Sequence, residues 1–348
     1  MNIDMLYICD IFINNNTNLL LIKEQKMKVF IARPFHQPAA KLLNSKYDVE
    51  VWKETTTPPP EILKEKVSTC HAIMTEGFDP INKEILASAE NLRIISNRAV
   101  GTDNIDIKEA TQKKILVGNT PGVLHDSCAD FTMGLILSLS RNIFRSAHMV
   151  KSKKWEKLDQ YSYLGSDLHN KTIGIIGMGQ IAQAVAKRCK GFETRILYFS
   201  RTRKLELEKS LGLEWCDDIN DLLKTSDIVS LHLPLTDTTR HLIGTRELSL
   251  MKKSAFLINT SRGAVVNQND LVTALKNNSI AGAAIDVTVP EPIPTNHPLL
   301  SLDNLIITPH IASAAKSTFE NMGIMAAENI ISALSGTPMP SCINPEAL

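Results

Sequence analysis

Three polar side chains with catalytic potential follow three strand-like segments in the second half of the chain. Arg262 follows the apolar run 255–258, Glu291 comes shortly after the run 281–285, and His310 follows the run 305–307. Ligands of parallel sheets bind outside the carboxyl ends of the strands, so these side chains are predicted to converge at one edge. Each could be structural alone, since a strand-end Arg often pairs with a local carboxylate and a single His is more often a satisfied core residue. Together they indicate a reactive site.

A glycine-rich turn follows another strand-like run, 172–176. The turn reads Gly-Met-Gly-Gln-Ile-Ala from Gly177 to Ala182, and a helical pattern continues to Lys190. In this pattern the first glycine permits a tight turn, the second lets the backbone approach a pyrophosphate, and the small last residue lets helix and strand pack. A glycine turn in any strand–helix unit is the alternative. The strand–turn–helix context favours dinucleotide binding, with Gly177, Gly179, Gln180 and Ile181 as cofactor residues.

The end of the next strand carries cations where NAD sites usually carry a carboxylate. That carboxylate normally lies about 20 residues past the glycines and holds the ribose 2′-hydroxyl. Here the chain reads Ser200-Arg201-Thr202-Arg203-Lys204. Cations with hydroxyls suit a 2′-phosphate, although the turn could also be merely a solvated basic surface. We therefore favour NADP(H) as cofactor, with NAD(H) as the alternative.

The elements that must position these residues form an alternating strand–helix pattern typical of α/β proteins. Strands are predicted at 28–32, 72–74 and 94–96 in a first, smaller unit that begins at Met27 after an irregular extension, residues 1–26. Six parallel strands are predicted beyond Lys171, in a doubly wound sheet. Between them, an apolar stretch from Asp126 to Phe144 predicts one helix that is buried nearly all round. A helical tail from about residue 314 is expected to cross back and complete the first unit.

Composition excludes several classes of protein. The chain has 348 residues, 43% hydrophobic and 22% charged, and a net charge of +1. With positive and negative charges nearly balanced, the protein has no net positive electrostatic potential that would attract a polyanion. Neither nucleic acid nor a membrane surface is therefore expected as a partner. The six cysteines are dispersed, and no His/Cys cluster has ligand spacing. We expect reduced thiols, a cytoplasmic protein and no metal.

At these motifs the chain resembles the D-isomer-specific 2-hydroxyacid dehydrogenases, from Met27 to the end. The signatures are found at 99–106, 119–124, the glycine turn, 261–263, 290–292 and 309–311. Within the family, the segments 265–271 and 291–300 look most like glyoxylate reductase/hydroxypyruvate reductase. The resemblance implies two Rossmann-like domains: a cofactor domain with a doubly wound parallel sheet, 125–313, and a smaller, discontinuous flavodoxin-like substrate domain, 27–124 with 314–348.

The resemblance also implies a role for each site residue. Arg262 is expected to bind the substrate, His310 to act as acid/base and Glu291 to be its partner. Asp286 is expected to hold the nicotinamide amide, Pro234 to border the cofactor, and the N–H groups of Val100 and Gly101 to bind the substrate carboxylate. The implied reaction is reduction of a small 2-oxo acid, glyoxylate or hydroxypyruvate, by a nicotinamide cofactor in a homodimer.

Two alternatives remain open at this stage. One is another enzyme of the family: formate dehydrogenases carry Gln where Glu291 stands, and phosphoglycerate dehydrogenases usually add a C-terminal regulatory domain. The other is a dinucleotide-sensing scaffold like the transcriptional corepressors built on this fold, which keep the Arg, Glu and His set. The sequence also departs from relatives at His125 and 127–128, and in the segment before Leu164. These departures bear on substrate preference, whereas the signatures carry the reaction class.

Overall fold

A computed structural model of the chain describes residues 26–34 and 37–348. The N-terminal extension expected over residues 1–26 thus lies outside the described residues, apart from Lys26. The described chain forms an α/β structure with one five-stranded and one seven-stranded sheet, and every strand pair is parallel. The α/β class with two parallel sheets is the one that the sequence predicts.

The smaller sheet has the strand order β2-β1-β3-β4-β5, which is flavodoxin-like. Its strands are β1 (Lys28–Ile31), β2 (Asp48–Val51), β3 (Ala72–Thr75), β4 (Ile94–Asn97) and β5 (Leu116–Gly118). Between them lie the helices α1 (Gln37–Asn44), α2 (Pro60–Thr69), α3 (Lys83–Ala87) and α4 (Ile107–Gln112). The edge strands β2 and β5 are additions to the predicted set, since the first is only half-buried and the second has three residues.

The larger sheet has the strand order β12-β11-β10-β9-β6-β7-β8. Its strands are β6 (Thr172–Ile176), β7 (Arg195–Phe199), β8 (Glu214–Trp215), β9 (Ile228–Leu231), β10 (Phe256–Asn259), β11 (Gly282–Ile285) and β12 (Leu305–Ile307). Its helices are α7 (Gln180–Lys190), α8 (Leu205–Leu211), α9 (Ile219–Thr225), α10 (Thr245–Leu250) and α11 (Gln268–Lys276). The prediction of six strands missed β8, a two-residue edge strand with no apolar run. The chain reverses direction across the sheet between β6 and β9, the switch point at which such sheets bind ligands.

The apolar stretch between the sheets forms two helices rather than one. They are α5 (His125–Ser140) and α6 (Ile143–Lys151), separated by Asn142 in the left-handed conformation at φ 54°. The prediction of a helix buried nearly all round is correct for α5, whose Met133, Ile136 and Leu139 lie in the core. It is wrong at the end, because Ile143 and Phe144 are 53% and 56% exposed on α6.

The C-terminal helix α12 (Lys316–Ser335) packs against β3, β4, β5 and α1, so the tail does return to the smaller sheet. Ala326, Ala327 and Ile330 of this helix share a core with Val29 and Ile94. Short 3₁₀ helices complete the secondary structure at Tyr161–Tyr163, Gly263–Val265, Pro298–Ser301 and Pro345–Ala347. Within the described ranges, none of the helices has the length and apolar character to cross a lipid bilayer.

Candidate active site

The carboxyl ends of the two sheets face a common cleft of about 1070 Å³. This volume is large enough for a dinucleotide with a small acid beside it, since single ligand pockets are typically about 300–1,000 Å³. Eight of the predicted site residues line the cleft: Val100, Gly101, Gly179, Gln180, Ile181, Pro234, Arg262 and His310. Gly177, Glu291, Asp286 and the turn 200–203 lie outside this lining.

The glycine turn forms the floor of the cleft at the switch point. Gly177 has φ +93°, and a Cβ there would lie 2.2 Å from the main-chain oxygen of His232. Gly179 is the N-cap of α7, and a Cβ on it would meet nothing within 4 Å. The open space over Gly179 and the helix N-terminus behind it form a cradle that fits a pyrophosphate. Gly177, by contrast, is required for the turn itself.

Some of the polar side chains in the basic turn after β7 already interact with nearby residues of the protein. Arg203 forms a fork with Glu208, with Nε–Oε1 and Nη2–Oε2 distances of 2.9 and 2.8 Å. Its guanidinium lies 5.1 Å from the centre of the Trp215 ring, and Ser200 Oγ donates to the main-chain oxygen of Thr202. Within the described part of the chain, the exposed Arg201 side chain has no ion-pair or hydrogen-bond partner. Lys204 Nζ likewise has no partner in this part of the chain, so the cations available to a new anion are Arg201 and Lys204 rather than Arg203.

His310 and Glu291 form a hydrogen-bonded pair at the rim. His310 Nδ1 and Glu291 Oε2 are 2.8 Å apart, and the other Glu291 oxygen accepts from the Thr288 N–H at 2.9 Å. The imidazole and carboxyl are only 29% and 27% exposed. With Nδ1 held by the carboxylate, Nε2 is the nitrogen left for a ligand, the arrangement of a proton donor oriented by an acid.

Asp286 holds the turn that presents His310. It is 1% exposed, and its carboxylate accepts from Thr308 Oγ1 at 2.6 Å and from the N–H groups of Ile311 and Ala312 at 3.0 and 2.7 Å. His310 itself has φ 55°, a rare conformation for a residue with a side chain, and its N–H donates to the main-chain oxygen of Asp286. The carboxylate of Asp286, which the sequence predicts to hold the nicotinamide amide, therefore already accepts hydrogen bonds from within the protein.

Arg262 reaches across the cleft from the larger sheet to the loop after β4. Its Nε donates to both carboxylate oxygens of Asp103, at 2.9 and 3.0 Å, and Nη1 donates to the Ser261 oxygen at 2.9 Å. A Cβ on Gly101 would lie 1.6 Å from Nη2, so a side chain at this position would displace the guanidinium. The remaining N–H groups of Arg262 lie beside Gly101 and are available to an acceptor.

Three residues at the site had no assigned role in the sequence. Asp103 belongs to a recognised signature, but its pairing with a residue 159 positions away needs the tertiary structure. Phe78, which had no signal, places its ring edge-on to that of His310 at a centroid distance of 4.9 Å. His232 follows β9 at the cleft wall, where burial lowers its pKa to about 4. Burial likewise raises the pKa of the Cys128 thiol, also in the lining of the cleft, to about 12, so that thiol stays protonated.

Pro234 follows β9 and its carbonyl oxygen accepts from Thr239 Oγ1 at 2.7 Å, which fixes the loop at the cleft edge.

No group of three or more His, Cys, Asp or Glu side chains in residues 26–34 and 37–348 is arranged to hold a metal ion.

Comparison with known proteins identifies the family. Residues 133–312 match the model of the D-isomer specific 2-hydroxyacid dehydrogenase NAD binding domain. The chain is 46% identical over 327 residues to the glyoxylate reductase of Thermococcus litoralis, covering 93% of this chain and 98% of that one.

Solved structures agree with this assignment. A crystal structure of a Thermus thermophilus protein superposes with a TM-score of 0.85 at 37% identity, covering 91% of this chain and all 100% of that one. An NADPH-dependent glyoxylate/hydroxypyruvate reductase from Sinorhizobium meliloti, solved with NADP and malonate, gives 0.80 at 25% identity and covers 92% and 98%. The chain therefore belongs to the D-isomer specific 2-hydroxyacid dehydrogenases, oxidoreductases that act on the CH–OH group of 2-hydroxy acids and bind a nicotinamide dinucleotide.

Proposed function

We propose that this protein reduces glyoxylate to glycolate and hydroxypyruvate to D-glycerate, with NADPH as the preferred cofactor. The observation that supports the proposal best is the arrangement at the cleft: His310, which Glu291 orients, and the Arg262 guanidinium border the same cavity as the glycine turn. The relatives named glyoxylate reductase support the same substrate class. Glycolate and D-glycerate differ only by a small substituent, which suits a site bounded by the Phe78 ring.

Gly179, Gln180, Ile181 and Pro234 would hold the nicotinamide cofactor, which would supply the hydride when bound. The residues of the chain do the rest. Arg262 binds the carboxylate of the 2-oxo acid together with the N–H groups of Val100 and Gly101, and so fixes the carbonyl group. Negative charge develops on the carbonyl oxygen during reduction, and His310 Nε2 donates a proton there. Glu291 keeps the ring oriented through Nδ1.

Cofactor and substrate preference can be measured together. A steady-state panel of glyoxylate, hydroxypyruvate and pyruvate against NADPH and NADH, followed by loss of absorbance at 340 nm, should give the highest kcat/KM with NADPH and one of the first two acids. Absence of turnover with every pair would favour the dinucleotide-sensing scaffold instead. Highest kcat/KM with pyruvate would indicate another 2-hydroxyacid dehydrogenase.

Preference for NADPH should depend on Arg201. A charge-assisted hydrogen bond to phosphate contributes about 1.5–3 kcal/mol, so Arg201→Ala should raise KM for NADPH about tenfold or more and leave KM for NADH unchanged. Arg195→Ala is the matched control, because Arg195 is an exposed cation at the start of β7, where it pairs with Glu214 away from the turn. Equal effects of Arg201→Ala on both cofactors would refute the role.

We also propose a homodimer formed through α6 and the segment that follows it. Its apolar side chains are unusually exposed: Trp155 57%, Leu158 81%, Tyr161 87% and Leu164 69%. An exposed apolar surface of this extent marks an interaction site.

The free thiols Cys70, Cys128, Cys189, Cys216 and Cys342 support the further proposal of a reducing compartment, the cytoplasm.

A further inference from the structure

We propose that the amide of Asn119 is a positioning residue for the substrate: it aims the N–H of Gly101 at the substrate carboxylate and links this group to the C-terminal helix. The inference rests on the proposed function, since it concerns how the same site binds a 2-oxo acid. It starts from the carbonyl oxygens of the loop after β4. Those of Ala99, Val100 and Gly101 each accept a hydrogen bond from the ends of β4 and β5 or the residues directly after them.

The hydrogen bonds behind the loop are specific to each peptide. The Ala99 oxygen accepts from the Thr120 N–H at 2.9 Å, and the Val100 oxygen accepts from Asn119 Nδ2 at 2.8 Å. The Gly101 oxygen accepts from Asn97 Nδ2, also at 2.8 Å. All of these donors belong to the ends of β4 and β5 or to the residues directly after them.

The orientation of the N–H groups follows from peptide geometry. In a planar trans peptide the carbonyl and the N–H of the next residue point in opposite directions. Holding the Val100 oxygen therefore turns the Gly101 N–H away from Asn119, toward the cleft that Val100, Gly101 and Thr102 line. Among the described residues, no acceptor contacts the N–H groups of these three residues. Beside them stands the Arg262 guanidinium, so the loop and the Arg together form a concave anion site.

Asn119 is itself held by the C-terminal part of the chain. Its Oδ1 accepts from Ser341 Oγ at 2.5 Å, and its main-chain oxygen accepts from Asn329 Nδ2 of α12 at 2.9 Å. Asn329 Oδ1 in turn accepts from the Ser341 N–H at 3.0 Å. Asn119 is 5% exposed and Asn329 is fully buried, so these two side-chain amides are shielded from solvent. The tail thus acts on the substrate loop through one amide.

The test compares two buried asparagines. Asn119→Ala removes the donor to Val100 and frees the peptide to rotate, whereas Asn344→Ala removes a buried amide that bonds Val117, Thr111 and Ile115 and touches nothing in the cleft. For Asn119→Ala we expect KM for glyoxylate to rise about tenfold or more, because a charge-assisted bond is lost, with an unchanged Kd for NADPH. For Asn344→Ala we expect Tm to fall about as much as in Asn119→Ala. The KM for glyoxylate of Asn344→Ala should stay within about twofold of wild type.

Either of two results overturns the proposal: KM unchanged in Asn119→Ala, or KM raised equally in both variants. Should Asn119→Ala not fold, Ser341→Ala decides, because it releases Asn119 Oδ1 alone. Its KM should then rise about two- to fivefold, and an unchanged KM overturns the proposal.

A second readout separates this inference from the proposed function. Oxamate, a 2-oxo acid analogue without a reducible carbonyl, is titrated into the cofactor-loaded protein and followed by quenching of nicotinamide fluorescence. Weaker binding to Asn119→Ala than to wild type and Asn344→Ala supports the inference, even if the wild type reduces no 2-oxo acid and the proposed function fails. A wild type that neither binds oxamate nor reduces a 2-oxo acid contradicts both.

Discussion

At the scale of single residues, His310 carries the proposed proton transfer, and its removal should affect chemistry rather than cofactor binding. A positioned proton donor contributes about 10²–10⁴-fold, so His310→Gln should lower kcat by that factor in the 340 nm assay. The matched control is His169→Gln, because His169 also lies near a Glu carboxylate, with Nδ1 3.3 Å from Glu193 Oε2, but far from the cleft. Unchanged turnover in His310→Gln would refute the assignment.

His232 makes the free energy of unfolding depend on pH. Burial lowers its pKa in the folded protein to about 4, below its ordinary value of 6.5, and Ser230 Oγ lies 2.8 Å from Nε2. The unfolded chain therefore binds the proton first, so this contribution to stability is complete above pH 6.5 and is lost as the pH falls toward 4.

Urea unfolding at pH 7 and pH 5 measures this effect. The wild type should lose about 2 kcal/mol more than His232→Gln over the interval, since the variant lacks the titrating group. Equal losses in the two proteins would show that His232 is solvated in the folded state.

At the scale of elements, we expect the two glycines of the strand–turn–helix unit to have different roles. Gly177 should be needed for stability of the fold, and Gly179 should be needed for ligand binding. Gly177→Ala combines a positive φ with a backbone clash at 2.2 Å, so it should destabilise the fold by about 1–3 kcal/mol. Gly179→Ala meets nothing within 4 Å and should leave Tm within a few degrees, yet its methyl group fills the space of the pyrophosphate. Thermal unfolding and a titration with NADPH test the contrast. Loss of binding without loss of stability in Gly177→Ala would contradict it.

The helices α5 and α6 show how local periodicity can mislead. Apolar residues continue in register from α5 into α6, which predicts one buried helix across the junction. The backbone instead breaks at Asn142 in the left-handed region, and the helix after it has no buried residue. The same apolar pattern therefore covers the core in α5 and faces outward in α6, where a second copy of the chain is proposed to bury it.

At the scale of the whole molecule, the proposed dimer gives a direct test. Leu158→Asp and Tyr161→Asp place charges on the most exposed apolar side chains of the segment, 81% and 87% exposed, and should shift the mass measured by sedimentation from dimer to monomer. Leu205→Asp is the control, since Leu205 is 55% exposed on α8 outside this segment. A double variant that keeps the wild-type mass would place the contact elsewhere.

We propose the division into a substrate domain, 27–124 with 314–348, and a cofactor domain, 125–313. The packing of α12 on the smaller sheet and of α5 against α7, β10 and β11 supports these boundaries. Between them a small apolar cluster of Leu124, Cys128, Ala312 and Met322 joins α5 to α12. The cleft lies where the carboxyl ends of both sheets meet beside this cluster.

The sequence alone predicted the α/β class, the strands with long apolar runs and the chemistry of the strand ends, because each of these depends on neighbouring residues. The glycine turn, Arg262 and His310 could be found this way, since a parallel sheet places every strand end at one edge. Edge strands such as β8 could not be predicted from the sequence, because two half-exposed residues are too few to show a periodic pattern.

Only the tertiary structure decided which partners the polar groups have. It paired Arg203 with Glu208, Arg262 with Asp103, and the Val100 carbonyl with Asn119, over separations of 5, 159 and 19 residues. A buried polar group must be satisfied by whatever donor packing brings near it, and that neighbour is set by the whole fold. For this reason the sequence named the residues of the site, while the fold determined which of their hydrogen bonds remain for a ligand.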